Sequence, residues 1–334
     1  MNATPRPIAP VIDAELLHLL LDASEPLTVE AISLRRRMPP ARVISELNRL
    51  RDAGCLLEEH PQHGVRLIES GLSTWQDYLR SQLGGSGRRI EVYRRTASTQ
   101  DVCRRLLASY GSGADGALAV ADEQTAGRGR LGRRWVAPPG TAVTFSRLCL
   151  LDSAGVRGAV DRLTFAACVA VSGALQQLQG PSERVRLKWP NDVVVHGRKL
   201  AGILVETTPW AGGAAAIIGV GINVGLTADN WPAELAHLRD QITSLALCGT
   251  SVDRLRVLAE AVRALDEAIT ATPLDALLDQ WRERCDMLHR HVRLRSGGRT
   301  IEGAVLDLDP QAGLIVQMAS GEIVHLPAAV TTTV

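Results

Sequence analysis

The stretch 186-RLKWPNDVVVHGRKLAGILVE-206 decides how this chain is read. Of the 37 lysines and arginines in 334 residues, only two are lysine, Lys188 and Lys199, and both lie in this window. Arginine is a planar fork that always carries charge, whereas lysine is a compact point charge whose pKa moves on burial. The bias implies that lysine is kept where the fork does not fit, the alternative being chance placement. Val193–Val195 and Leu200–Val205 are strand-like runs around His196–Gly197. If those two residues form a tight hairpin turn, Val194 lies opposite Lys199, and Asp192 shares that face by the period-two rule. If the strand stays extended through Pro190, Lys188 joins them, although proline inside a strand warns of a kink. Two ammoniums and a carboxylate then share one sheet face. The plainer alternative for Asp192 and Lys199 is an ordinary cross-strand ion pair.

Two flanking motifs bear on this face. In 219-GVGINVG-225, Asn223 stands at a glycine-flanked strand end, either as a polar ligand group or as a turn residue. In 124-QTAGRGRLGRRWVAPPG-140, Gly127, Gly129 and Gly132 spell GxGxxG, but a dinucleotide fingerprint must open a helix, and here arginines and Pro138–Pro139 follow. What remains is a glycine-loosened loop carrying Arg128, Arg130, Arg133 and Arg134 and no acid. Such a loop repels itself when empty and orders over a polyanion, with the guanidinium forks on phosphate or carboxylate oxygens. The competing readings are a solvated basic loop that binds nothing, and a nucleic-acid contact, which the single aromatic Trp135 supports poorly.

Further out, the chain divides. Val11–Leu21, a second segment capped by Thr28 and running to about Arg37, and a third beginning at Pro39–Pro40 and stopping at Gly54 have helical spacing. Cys55–Glu59 and Gly64–Ile68 look like two short strands, and together these are the parts of a winged helix-turn-helix over residues 1–68. A helix at Trp75–Leu83 leads to the glycine-rich linker 84-GGSG-87, giving a linker region of 69–87. Residues 88–287 mix strands and helices irregularly, as in an α+β domain with a mostly antiparallel sheet. From Leu288, over 288–334, short alternating runs suggest a small β-barrel. The expected fold is therefore multidomain α+β.

Composition narrows the functions. The net charge of +1 removes any global basic field for nucleic acid, so such a partner needs a local patch. Six cysteines without a CxxC pair suggest reduced, buried thiols rather than a disulfide frame or zinc site. The opening MNATPRPIAP lacks a signal-peptide pattern and no long apolar run follows, so no membrane role and a cytoplasmic location are expected. No Walker A loop, serine–histidine–aspartate order or histidine cluster is present. A mobile polyanion-gripping loop and two compact cations suit adenylation, in which a carboxylate attacks the α-phosphate of ATP and an acid such as Asp192 holds Mg²⁺.

Gly127–Arg133, 188-KWPND-192, 198-RKLAGILVE-206 and 219-GVGINV-224 together resemble the signature blocks of biotin–protein ligases. Nearly the whole chain resembles the bifunctional bacterial kind, which is also the biotin-operon repressor. The resemblance implies formation of biotinyl-5′-adenylate from biotin and MgATP. Biotin then passes to one lysine of a biotin carboxyl carrier domain, such as that of acetyl-CoA carboxylase. It implies that Ser98, Thr99, Gln100 and Gln124 grip the ureido ring. Gly127, Arg128, Gly129 and Arg130 close over biotin and the adenylate. Lys199 holds the biotin carboxylate and phosphate region. Lys188 and Asp192 stand at the adenylation centre with Arg130 as a further catalytic group, and Arg128, Arg130, Arg133, Lys188, Asn191 and Asn223 meet the nucleotide. Departures are Ala97, where the family often has Asp, and Gly225, where a second Asn is common. Trp231 and the stretch 226–242 are candidates to cover adenine.

For the N-terminal part, the resemblance implies operator DNA, met by Arg42, Ser45, Asn48 and Arg49, and an adenylate-induced homodimer. Pro39 and Pro40 stand where repressors of the family carry Ser–Arg, and Glu46 is expected to face or flank phosphates unfavourably. A winged helix kept for docking or stability is the alternative. Two rival functions remain: a lipoate or octanoate ligase, which the combined GRGRLGR and KWPND blocks disfavour, and a biotin-sensing repressor without turnover, which both lysines and the intact loop disfavour.

Overall fold

The structure is a computed structural model that describes residues 12–84, 87–151, 158–180, 183–309 and 312–333. The opening MNATPRPIAP and Gly85–Ser86 of the linker lie outside them. Three helices, α1 (Ala14–Asp22), α2 (Val29–Arg36) and α3 (Pro40–Asp52), precede an antiparallel hairpin of β1 (Leu56–His60) and β2 (Gly64–Glu69). Asp13 and Thr28 cap the first two helices by accepting from Leu16 N (2.9 Å) and Ala31 N (3.1 Å). α3 has no side-chain cap and starts on Pro40, where the missing N–H would have had no partner. Val43, Leu47 and Leu50 bury its apolar stripe in a core shared with Leu16, Leu17 and Ile32. Glu46 departs from expectation: it is only 6% exposed, turned into the bundle rather than toward solvent, with Oε1 accepting from Arg49.

α4 (Leu72–Leu83) leads into a seven-stranded sheet of order β3-β4-β5-β9-β8-β7-β6. Its strands are β3 (Ile90–Thr96), β4 (Leu118–Gln124), β5 (Ala142–Leu151), β6 (Val185–Lys188), β7 (Asp192–Val195), β8 (Arg198–Trp210) and β9 (Gly213–Asn223). Only β3 and β4 run parallel; α5 (Thr99–Tyr110) makes the connection between them. The strands alternate between two buried faces, as period two requires. Leu118 and Val120 join the large core with α6 (Ala159–Gln179), α7 (Arg254–Thr270) and α8 (Leu274–Arg284), while Ala119 joins a smaller core with Val102, Cys103 and Leu106 of α5. The sheet is thus covered on both sides, and residues of β7, β8 and β9 together with the loop between β4 and β5 line the site.

The last strands, β10 (His291–Ser296), β11 (Arg299–Asp309), β12 (Gly313–Met318), β13 (Ile323–Leu326) and β14 (Thr331–Thr333), form a five-stranded antiparallel sheet. Its order is β13-β12-β11-β10-β14. All six cysteines are free thiols. No described helix is long and apolar enough to cross a membrane.

Candidate active site

The β7–β8 turn forms as its sequence suggests: His196 (φ +50°) and Gly197 (φ +74°) are both left-handed, and Val194 pairs with Lys199. The chain does not stay extended through Pro190. The Trp189–Pro190 peptide is cis, the backbone turns, and Lys188 faces Asp192 across the β6–β7 hairpin. The three charged residues therefore converge by two hairpins rather than along one strand. Lys199 Nζ lies 2.5 Å from Asp192 Oδ1, both side chains partly exposed. Lys188 has no ion pair among the described residues and opens onto a cavity of about 810 Å³.

At one end of this cavity Ser98 accepts from Gln100 N as the cap of α5, and Thr99 N donates to Gln124 Oε1 (2.8 Å). Gln100 is 4% exposed; its amide nitrogen donates to the Leu204 carbonyl (3.1 Å), while Oε1 is buried with no partner. A buried acceptor of this kind is costly unless a donor arrives. Gly219 leaves room opposite it: a Cβ there would stand 2.5 Å from Gln100 Nε2 and push the amide aside.

The glycine–arginine loop lies over the cavity and closes on itself, with Gly129 N donating to the Arg133 carbonyl (2.8 Å) and Trp135 N to that of Gly127 (3.0 Å). Its turn uses Leu131 at φ +55° and Gly132 at φ +73°. The sequence reads this loop as acid-free and self-repelling, but neighbouring elements supply the acids. Arg128 donates to both oxygens of Asp101 (2.9 and 3.1 Å) and to Glu206 (3.3 Å). That hydrogen bond holds the Asp101 carboxyl below its usual range. Arg130 points inward: it donates to Asn191 Oδ1 (3.1 Å) and to the carbonyls of Ala328 and Thr331, and has no ion pair with a carboxylate among the described residues. Burial pushes its guanidinium pKa down, with Asp192 opposing the shift. Arg133 donates to Thr332 Oγ1 (2.8 Å). The final strand therefore touches the loop, a contact no sequence pattern announced.

Trp135 is a further site residue that sequence reasoning missed. Its indole lies against Gly221, where a Cβ would come within 2.4 Å of the ring, and close to Gly202. These two glycines are direct cross-strand partners in the β8–β9 ladder, the signal that could have revealed the space. Trp135 Nε1 is buried without an acceptor. At the opposite end, Asn223 donates to the carbonyls of Lys199 (3.3 Å) and Thr243 (3.0 Å), fixing the segment that lines the cavity there. Trp231 does not line it; its Nε1 donates to the Leu235 carbonyl, and Leu226, Leu235, His237 and Leu238 form that wall. No group of three or more His, Cys, Asp or Glu suited to a metal occurs among the described residues. Asp192, engaged by Lys199, offers an ion one carboxylate, not a protein cage.

Fold and cavity together define a small-molecule site of an α+β enzyme, with a basic loop over a two-lysine floor. Residues 92–223 match the Biotin/lipoate A/B protein ligase family, and residues 288–330 match the Biotin protein ligase C terminal domain. The chain is 33% identical to the biotin–[acetyl-CoA-carboxylase] ligase of Mycobacterium tuberculosis over 280 residues, 74% of this chain and 94% of that one. It is 31% identical to the bifunctional ligase/repressor BirA of Salmonella typhimurium over 306 residues, 90% of this chain and 91% of that one. The fold is similar to that of the Aquifex aeolicus biotin protein ligase solved with biotin and ATP, with a TM-score of 0.60 and 26% identity over 74% of this chain and 99% of that one. The chain belongs to the biotin protein ligase family.

Proposed function

We propose that the chain is a biotin–protein ligase that makes biotinyl-5′-adenylate from biotin and ATP and transfers biotin to a carrier-domain lysine. The observation that carries this reading is the meeting of Lys188, Asp192 and Lys199 beneath the inward Arg130. Biotin's ureido ring goes to the Ser98–Thr99–Gln100–Gln124 end, where the unpartnered Gln100 Oε1 meets a ureido N–H. Its carboxylate then reaches Lys199. A carboxylate oxygen bonds to the α-phosphorus of ATP, the bond to the bridging oxygen breaks, and diphosphate leaves. Lys188 and Arg130 neutralise the charge that develops on phosphate oxygens, in a partly enclosed site where such interactions are strong. Among the described residues, Asp192 is the carboxylate beside the lysines that would hold Mg²⁺, which would supply charge neutralisation on the nucleotide phosphates. Gly127, Arg128 and Gly129 retain the adenylate, and Arg133, Asn191 and Asn223 support the nucleotide end. The carrier lysine finally attacks the mixed anhydride carbonyl and AMP departs.

Pyrophosphate exchange that depends on biotin but not lipoate, with labelling of a carboxyl carrier domain, is the expected result. Lipoate-dependent exchange would favour the lipoate reading, and biotin binding without exchange would favour a sensor.

The three helices and hairpin suggest a winged helix-turn-helix (1–68), joined through 69–87 to the ligase domain (88–287), and the five-stranded C-terminal sheet suggests a small domain of barrel type (288–334). The 90% coverage by a ligase/repressor favours a second, operator-binding role in the cytoplasm, with an adenylate-loaded homodimer. Arg42 and Ser45 are exposed for it. Asn48 and Arg49 would first exchange their contacts with Arg51 and Glu46. Ligand-dependent capture of specific genomic fragments tests this role; weak, steeply salt-dependent binding would count against it.

A further inference from the structure

We infer that Asp122 and Arg254 form a clasp at the base of the glycine–arginine loop, with Arg254 as the positioning residue that holds the loop closed. What the loop retains rests on the ligase reading; the clasp does not. The loop leaves β4 after Gln124 and returns to β5 at Ala142. Its outgoing end is tied by main-chain bonds, Thr125 N to the Thr96 carbonyl (3.0 Å) and Ala126 N to that of Ala97 (2.8 Å). These do not depend on any side chain. At the returning end, Thr141 bonds back to the Pro138 carbonyl, and Gly140 N donates to Asp122 Oδ1 (3.0 Å). One carboxylate on the outgoing strand thus grips the returning one.

Arg254 completes that grip. Its Nη1 donates to the same Asp122 oxygen (2.5 Å) and to the Ala142 carbonyl (3.5 Å), at the first residue of β5. The two side chains are 11% and 12% exposed. Arg254 is itself fixed: it is the first residue of α7, its guanidinium lies 5.2 Å from the Trp75 ring centroid, and Asp253 beside it accepts from Ser70 N and Oγ. A nearly buried carboxylate that loses its cation draws in water to solvate its charge. That loosens the hold on Gly140, and with it the returning limb of the loop. Glu69 also reaches Arg254, but at 3.4 Å and 60% exposed it belongs to the screened surface.

The test is amide exchange of residues 125–141 in the full ligand-free chain, alongside the rate at which preformed adenylate escapes to a trap. Arg254→Ala and the isosteric Asp122→Asn should each speed both readouts roughly tenfold, with the turnover number for adenylation near wild type. The double variant should be no worse than the worse single one, since the pair acts as a unit. Arg254→Lys should restore part of the effect, and Glu69→Gln should change neither readout. If Arg254→Ala does not fold, Asp122→Asn decides. Unchanged loop exchange and escape in a folded variant, or additive losses in the double one, would overturn the clasp. A wild-type chain that makes no adenylate would instead overturn the ligase reading, while loop exchange would still judge the clasp.

Discussion

The glycine–arginine loop and the outer face of α3 both carry arginines, and their surroundings make them different devices. Over the cavity, Arg128 is clamped by Asp101 and Glu206 while Arg130, two residues on, is partly buried and held by neutral oxygens alone. A cation in that state attracts an anion strongly, because little water screens it. On α3, Arg42 is exposed, Arg49 reaches from solvent to the buried Glu46, and Arg51 pairs with the exposed Glu59. A surface pair such as Arg51–Glu59 contributes about 0–1 kcal/mol and weakens with salt. Enclosure, not arginine count, separates the two.

That difference can be broken at its strongest point first. Replacing the unpaired Lys188 by Ala should lower biotin-dependent pyrophosphate exchange by roughly 10²–10³-fold, the usual cost of removing one donor at developing charge. Arg130→Gly should come next, with adenylate escaping roughly tenfold faster and bystander lysines becoming biotinylated. Unchanged retention would mean that its neutral contacts to Asn191 and β14 are its whole role.

Arg42→Ala and Arg49→Ala should leave ligase turnover unchanged. If the face meets DNA, each should lower the salt slope of binding by about one. The smallest effect concerns pH. The Asp101 carboxyl is held below its usual value, so the stabilisation from Arg128 is complete above the unfolded carboxylate pKa and is lost as pH falls through the lowered folded value. Amide exchange of the loop should therefore be flat, after correction for intrinsic rate, from about pH 5 to 8 and rise only below about pH 4.

Much of this was legible because local rules set it. The period-two strands, the His196–Gly197 turn and the Thr28 cap follow from neighbours in sequence, and Val194 opposite Lys199 follows from the turn. What was hidden depends on distant partners. Nothing near Arg128 in sequence predicts Asp101 and Glu206, and nothing near Arg130 predicts the carbonyls of Ala328 and Thr331. The place of Trp135 is not legible in its own neighbourhood because it is set by the absence of side chains at Gly202 and Gly221. The direction of Trp231 is hidden for the converse reason: an aromatic ring in a loop has none until its own hydrogen bond, here to the Leu235 carbonyl, is known. Glu46 is expected by its charge to face or flank phosphates, yet it falls three residues after Val43 and four before Leu50, on the buried stripe.

The central claim is that the adenylation centre needs a compact cation at position 199, where Asp192 Oδ1 stands 2.5 Å from the ammonium and a Cβ on Gly202 would touch its Nζ. The direct measurement is biotin-dependent pyrophosphate exchange by Lys199→Arg beside the wild type, with melting curves to show that both are folded. Charge is preserved, so a loss of roughly 10²-fold or more is the expected result. Full exchange by the arginine variant would contradict the account, leaving the two lysines as ordinary cations in an arginine-rich chain.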